Sequence, residues 1–301
     1  MISAVILLGN DRKYIGGCIE SVVGRVDEVI VVNSGSEEVG WDYDNVRVLD
    51  REWNGSFSDA RNWGIERCSG DWVMMIDDDE RLGIGNIELG LAKGYEVKLE
   101  GWQRVVRYRG GIEDMGNIWF EDYQVRLFRN EGFRYVNKLH EMISMDIISR
   151  GYDIGRSDLV FHHLGYDIGK EEIFGKMMRN VGVAISGVIE DNDGVSWYNL
   201  GISYVNIDRD RALECFRKAQ SYGFMGKLES RINCFYGSSE RDKGNLVKAL
   251  EYYEKGLRID RSNEMAIVGK EVVSFELGKS NRLGELMKDK RYSSIISINR
   301  K

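Results

Sequence analysis

Residues 72–76 read Trp-Val-Met-Met-Ile, and Asp77-Asp78-Asp79-Glu80 follow at once. A short, continuous apolar run is the pattern of a strand buried on both faces, and open α/β sheets bind ligands just beyond their strands' carboxyl ends. The chain is therefore expected to carry a central strand that delivers four carboxylates to the rim of a sheet. Four adjacent acids repel one another. A divalent cation is the simplest relief, because hard carboxylate oxygens suit Mg²⁺ or Mn²⁺, and such ions share their coordination sphere with substrate phosphates. The same acids on a solvated turn would need no ligand, so the flanking residues have to weigh the two readings.

Upstream, Trp53-Asn54-Gly55-Ser56-Phe57-Ser58-Asp59-Ala60-Arg61-Asn62-Trp63-Gly64-Ile65 is a loop with Ser or Asp available as N-cap, leading into a short helix. At the N-terminus Ile2 to Leu8 is an apolar strand, and Tyr14 to Gly24 carries apolar residues at helical spacing. Asp27 to Asn33 is a second strand running into Asn33-Ser34-Gly35-Ser36. This is a βαβ unit. Together these segments resemble the family 2 glycosyltransferases of the GT-A fold. That family's order of a tryptophan, a phenylalanine-containing loop, Ala-Arg-Asn, a short helix, a Gly-Asp-Trp strand and Asp-x-Asp-Glu is matched nearly position for position from Trp53 to Glu80. The resemblance implies an α/β, Rossmann-like nucleotide-diphospho-sugar transferase domain. It also implies that the turns after the first two strands, here Leu8-Gly9-Asn10-Asp11 and Asn33-Ser34-Gly35-Ser36, line the nucleotide pocket. Asn33 stands where the family has Asp, and an amide, with both donor and acceptor, can still bond a uracil edge.

Beyond the acids, Tyr95 to Arg109 and Tyr123 to Phe128 are rich in β-formers, and the turn-like Asn130-Glu131-Gly132 leads to a further strand candidate, Phe133-Arg134-Tyr135-Val136. By resemblance this is the acceptor half. The family's Arg-x-Phe-Arg, aromatic strand and His-Glu correspond to Arg126-Leu127-Phe128-Arg129, Tyr135 and His140-Glu141. Its His-x-Gly-Tyr with a downstream Lys and Arg-Asn corresponds to His163 to Tyr166 with Lys176 and Arg179-Asn180. His163 either closes the fold through a hydrogen bond or serves a metal or diphosphate; its spacing does not decide.

The resemblance implies a metal-dependent, inverting transfer. A Mn²⁺ or Mg²⁺ ion held by Asp79, with Asp77 and His163 as further ligand candidates, would stabilise the leaving diphosphate. Asp77 and Asp78 would also meet the nucleotide, and Arg61 would orient it or bond the strand ends. The acceptor's proton would go to Glu141 as first choice, beside His140, or to Asp122 as second. The donor class is a nucleotide sugar of the UDP-glucose or UDP-N-acetylglucosamine type.

Composition explains several departures from the family pattern. The chain has no proline, no threonine and eight alanines, where ordinary usage gives about 15 prolines at roughly 5%. With His and Gln at three each, the pattern fits a coding strand depleted in cytosine, so the 35 glycines are not all turns. The 301 residues divide by pattern into a transferase domain, 1–188, and a second domain, 189–301. A formal net charge of −7 argues against general nucleic-acid binding. No run of 18 apolar residues and no signal-peptide pattern occur, and Cys18, Cys68, Cys215 and Cys234 lack metal-ligand spacing. A cytoplasmic protein without a membrane span and with free thiols is expected.

After about residue 190 the period changes. Trp197 to Tyr204 followed by Ala212, Phe216 and Ala219 resembles a tetratricopeptide unit, and Ala249, Tyr253 and Gly256 repeat the latter three 37 residues on. A less regular helical pair runs from Glu264 to Lys288. An all-α, TPR-like domain of this kind binds peptides or mediates a homodimer, which tilts the acceptor towards a peptide or protein, with a growing glycan, a lipid carrier and a modified nucleobase left open. Other readings have weaker support. No Gly-x-Gly-x-x-Gly follows the first strand as a dinucleotide-dependent oxidoreductase requires, and Leu8 to Arg12 is a poor nucleotidyltransferase loop. A degenerate transferase acting as a TPR-mediated binding module would lack a reason to keep Asp77, Asp79, His140 and Glu141.

Overall fold

The computed structural model of the protein describes residues 1–35, 40–83, 85–87, 89–108, 111–164, 168–223, 225–286, 288 and 292. Ser36, Gly165 and Tyr166 of the expected motifs lie outside the described residues. The chain divides into two units, Met1–Arg104 with Phe120–Gly187, and Val105–Trp119 with Val188–Lys301. No helix among the described residues is long and apolar enough to cross a membrane.

The first half of the chain runs β1 (Ile2–Leu8), α1 (Ile15–Val22), β2 (Glu28–Asn33), β3 (Val46–Asp50), α2 (Phe57–Ile65), β4 (Trp72–Asp77), β5 (Glu80–Leu82), β6 (Gly94–Tyr108), β7 (Ile112–Arg129), α3 (Ser144–Ser149), β8 (Ile154–His163) and α4 (Lys170–Glu190). One eight-stranded sheet takes the order β3-β2-β1-β4-β7-β6-β8-β5. β1, β2, β3 and β4 are mutually parallel, and β7 joins antiparallel to β4. The apolar run that ends in four acids is β4, fully buried from Trp72 to Ile76. It lies between β1 and β7, where only a strand apolar on both faces is stable.

The chain lays β2 and β3 on one side of β1 and then crosses to place β4 on the other. That reversal is a topological switch point, and it opens a crevice at the carboxyl ends of β1 and β4. The register aligns the ends: Leu7 pairs Asp77, Leu8 pairs Asn33, and Asn33 pairs Asp50. Leu8, Asn33 and Asp50 thus form one row along the sheet rim, and Asp77 lies beside Leu7, one position short of that row.

Helix α2 starts as its sequence suggests, with the Ser56 side chain accepting from Asp59 N at 3.1 Å. It lies on β1 and β2 so closely that a Cβ on Gly64 would be 2.7 Å from Val5 Cγ1 and 2.8 Å from Val32 Cγ2. Ser56 to Ile65 is therefore fixed on the sheet next to the crevice. Two strand expectations need correction. Phe133 to Val136 is not a strand; it forms a single bridge, Val136 with Met142, and Phe133 and Tyr135 are held by packing in the core with Phe128, Ile143 and Ile147 and not by a strand ladder. The strand expected from Tyr123 begins at Ile112 instead.

The second unit contains α5 (Gly194–Tyr204), α6 (Arg209–Gln220), α7 (Lys227–Asp242), α8 (Leu246–Ile259), α9 (Glu264–Glu276) and α10 (Leu283–Leu286). Asp193 caps α5 through a capping box with Ser196. The two sets of repeat positions are equivalent in packing. Ala212, Phe216 and Ala219 are buried with Tyr198 and Ile232, and Ala249 and Tyr253 with Cys234, Ala266 and Val273. Phe216 stacks on Phe235 at 4.9 Å. Tyr108 N donates to Asn206 O at 2.8 Å, which ties the second unit's strand segment to the connection between α5 and α6.

Candidate active site

Asp77, the last residue of β4, is held between two guanidinium groups. Its Oδ1 lies 2.8 Å from Arg61 Nη2, and its Oδ2 lies 2.9 Å from Arg126 Nη2. Burial alone would raise the Asp77 pKa, but Arg126 and Arg61 outweigh it and hold the carboxyl well below its usual range. Arg126 also reaches Glu80 Oε1 at 3.2 Å, while Glu80 Oε2 accepts from Asp77 N at 2.9 Å. Fully buried, Glu80 is pushed up to about 8 by burial, with Arg126 opposing. Glu80 is thus a brace that folds the acidic turn back on its own strand.

Asp78 and Asp79 are half-buried, and among the described residues neither has a Lys or Arg within ion-pair distance. Burial, then Asp79 and Asp77, push Asp78 up to about 8. Burial raises Asp79 too, with His163 opposing. The β5–β8 register sets His163 opposite Glu80, and Leu164 N donates to Asp79 O at 2.8 Å. This brings His163 Nε2 to 3.5 Å from Asp79 Oδ1. From α4, the Arg179 guanidinium lies 5.4 Å over the Phe57 ring. Burial lowers its pKa while Asp78 and Asp79 oppose, and Lys176 also acts on both acids.

The residues expected to hold a divalent cation are not gathered into one cluster. No group of three or more His, Cys, Asp or Glu among the described residues forms a ready cage. Both Asp77 oxygens are engaged by arginines. Asp79 and His163 remain as an oxygen and an imidazole donor facing each other. Hard divalent ions commonly take one or two protein carboxylates and complete their shell with substrate phosphates and water.

The same Arg61 binds the residue expected as base, with Nε 2.7 Å from Glu141 Oε1. Arg61 is buried, its charge stabilised by Asp77 and Glu141 against desolvation. Asn62 fixes the neighbouring chain, donating to Tyr135 O at 2.9 Å and accepting from Tyr135 N at 2.8 Å. Between these anchors Asn137 and His140 take positive φ, 70° and 54°, a conformation that strained loops hold at functional sites. His140 has an exposed surface, yet enough protein surrounds its ring that desolvation lowers its pKa, with Glu141 opposing.

Asp122 is exposed on β7, its Oδ2 accepting from Gln124 Nε2 at 3.0 Å. Residues two apart on a strand share a face, so Asp122, Gln124 and Arg126 point the same way. Met74 pairs Leu127 antiparallel, so β7 leads from Asp122 through Gln124 and Arg126 into its pairing with β4. Asp122 is therefore a carboxylate on Arg126's face of the strand, nearer solvent and held by no cation among the contacts described.

On the nucleotide side, Ser34 N donates to Leu8 O at 2.8 Å. Gly35 lies so close that a Cβ there would be 2.7 Å from Gly9 O and 3.0 Å from Asn10 Oδ1. The two strand-end loops are thus in contact. Sequence reasoning assigned no role to Asp50, and it placed Arg126, Glu80 and Asn62 in motifs without naming the partners they bind. For Arg126 the available signal was its place in Arg126-Leu127-Phe128-Arg129.

Residues 3–147 match the model of glycosyl transferase family 2. This stretch is a family 2 glycosyltransferase domain. The lipopolysaccharide core biosynthesis glycosyltransferase LpsC of Rhizobium meliloti is 34% identical over 160 residues, covering 47% of this chain and 56% of LpsC. The SPbeta prophage-derived glycosyltransferase SunS of Bacillus subtilis is 25% identical over 233 residues, 72% of this chain and 53% of SunS. A TPR repeat-containing protein of Synechococcus elongatus is 32% identical over 89 residues, 27% of this chain and 21% of that protein. The chain thus spans little more than half, or less, of the length of these curated relatives.

Proposed function

We propose that this chain moves a sugar from a UDP-sugar, of the UDP-glucose or UDP-N-acetylglucosamine type, to an acceptor with inversion at the anomeric carbon. The observation that carries this reading is Asp77 at the end of β4, fixed between Arg61 and Arg126 beside the strand ends of Leu8, Asn33 and Asp50 at the switch point of a stretch that matches family 2. Asp79 and His163 would hold Mn²⁺ or Mg²⁺. When bound, that cation neutralises negative charge on the departing diphosphate. Lys176 and Arg179 on α4 add positive charge beside Asp78 and Asp79.

The acceptor's proton goes to Asp122 in this account. A general base must reach the attacking hydroxyl with a free lone pair. Glu141 has an oxygen held by a buried guanidinium at 2.7 Å, whereas Asp122 is exposed and neutral-bonded. Glu141 is then the partner that fixes Arg61. The helical unit supports a peptide or protein acceptor over a free glycan, because paired helices of this kind present extended surfaces for polypeptide.

The test is release of UDP from UDP-glucose and UDP-N-acetylglucosamine by the full chain, with Mn²⁺, with Mg²⁺ and with EDTA. Release from one donor that stops in EDTA supports the reading. Equal release in EDTA would remove the metal, and no release from any nucleotide sugar, with candidate peptides and glycans supplied, would remove the enzyme.

A further inference from the structure

We propose that Asp50, and not Asn33, reads the nucleobase of the donor, selecting a base whose ring nitrogen carries hydrogen. This rests on the donor reading above and names a specificity residue for it. Asn33 occupies the end of β2 but is buried, at 3% exposure, and its amide is already engaged. Its Nδ2 donates to Asp50 Oδ1 at 2.6 Å. Its Oδ1 accepts from Gly35 N at 3.2 Å and from Arg12 Nη2 at 3.3 Å. A side-chain amide has one carbonyl oxygen with two lone pairs, and both are taken.

The β2–β3 register sets Asp50 directly beside Asn33 on the rim. Asp50 is exposed, and its hydrogen bond from Asn33 falls on Oδ1, so that Oδ2 is not used by that bond. Asn33 therefore acts as a holder that orients the neighbouring carboxylate. In the same stretch Arg51 N donates to Asn33 O at 2.9 Å, and Arg51 Nη1 is buried and, among the described residues, has no hydrogen-bond partner. A base that offers carbonyl oxygens beside a ring N–H would meet both groups.

An ionised carboxylate only accepts hydrogen bonds. Uracil presents N3–H between two carbonyls and matches it with a charge-assisted bond. Cytosine presents an unprotonated N3, so that lone pairs would face each other, and sites built around a polar group discriminate strongly against a ligand that leaves it unpaired.

The experiment is calorimetric titration of the full chain with UDP and with CDP, in Mn²⁺. Wild type is expected to bind UDP at least about tenfold more tightly than CDP. Asp50→Asn keeps an oxygen for Asn33 and presents an NH₂ to the base, so the preference should vanish or invert. Asn33→Asp sets a second carboxylate beside Asp50 and should weaken UDP. Thermal melts report whether each variant is folded. Unchanged selectivity in Asp50→Asn, or tighter UDP binding by Asn33→Asp, overturns the assignment while leaving the donor site in place. Failure of wild type to bind either nucleotide overturns the donor reading and this inference together.

Discussion

Arg61 is the residue on which the site turns, since one buried guanidinium joins the strand-end carboxylate Asp77 to Glu141, 64 residues further along the chain. Removing one partner of a buried charge pair leaves the others uncompensated, which typically costs about 3–5 kcal/mol. Arg61→Gln should therefore lower unfolding free energy in urea by that order; a loss under about 1 kcal/mol would mean that the network is solvated. The base assignment separates in the same way. Asp122→Asn should cut kcat by roughly 10²–10⁴ with an unaltered melting temperature, whereas Glu141→Gln should lower the melting temperature as well. An Asp122→Asn enzyme with near-normal kcat returns the base to Glu141. The acids at 77–80 and Arg61 were legible because they sit in local patterns. Arg126 and Asp50 were not, since their partners, Asp77 and Asn33, lie on other strands and only the sheet register brings them together.

At the scale of elements, the sheet edge nearest the N-terminus depends on a buried acid. Glu28, first residue of β2, accepts from Ser3 Oγ at 2.5 Å, from Ser69 N at 2.5 Å and from Ser69 Oγ at 2.8 Å, which ties β1 and β2 to the turn before β4. Burial raises its pKa, but these hydrogen bonds outweigh it and the net shift is downward. A folded pKa below the unfolded value of about 4.3 means stability that is complete above that pH and lost as pH falls through the folded pKa. Glu28→Gln should thus cost about 1–3 kcal/mol at pH 7, and its deficit against wild type should shrink below about pH 4. A deficit that stays constant down to pH 2 would place the effect in packing alone. The elements missed in the sequence have a common cause. β3, β5 and β8 are short or polar-interrupted, and β7 carries Gly116 and several acids before Tyr123. Pairing with neighbours makes them strands where their own propensity does not.

Across the whole molecule the repeat positions were readable at a distance of 37 residues because each helix pair buries the same small and aromatic side chains. Phe216 is fully buried in its cluster, so Phe216→Ala should destabilise the helical unit by about 3–5 kcal/mol. If that unit handles the acceptor, transfer should fall while UDP affinity stays within about twofold; equal loss of both would make the repeats part of the donor site. The central claim is that the end of β4 is a cation-assisted nucleotide-sugar site. Its most direct test is calorimetric titration of UDP into wild type and Asp79→Asn, each with Mn²⁺ and with EDTA. The account predicts binding by wild type that weakens sharply in EDTA, and binding by Asp79→Asn that is weak in both. UDP affinity indifferent to both Mn²⁺ and Asp79 would contradict it.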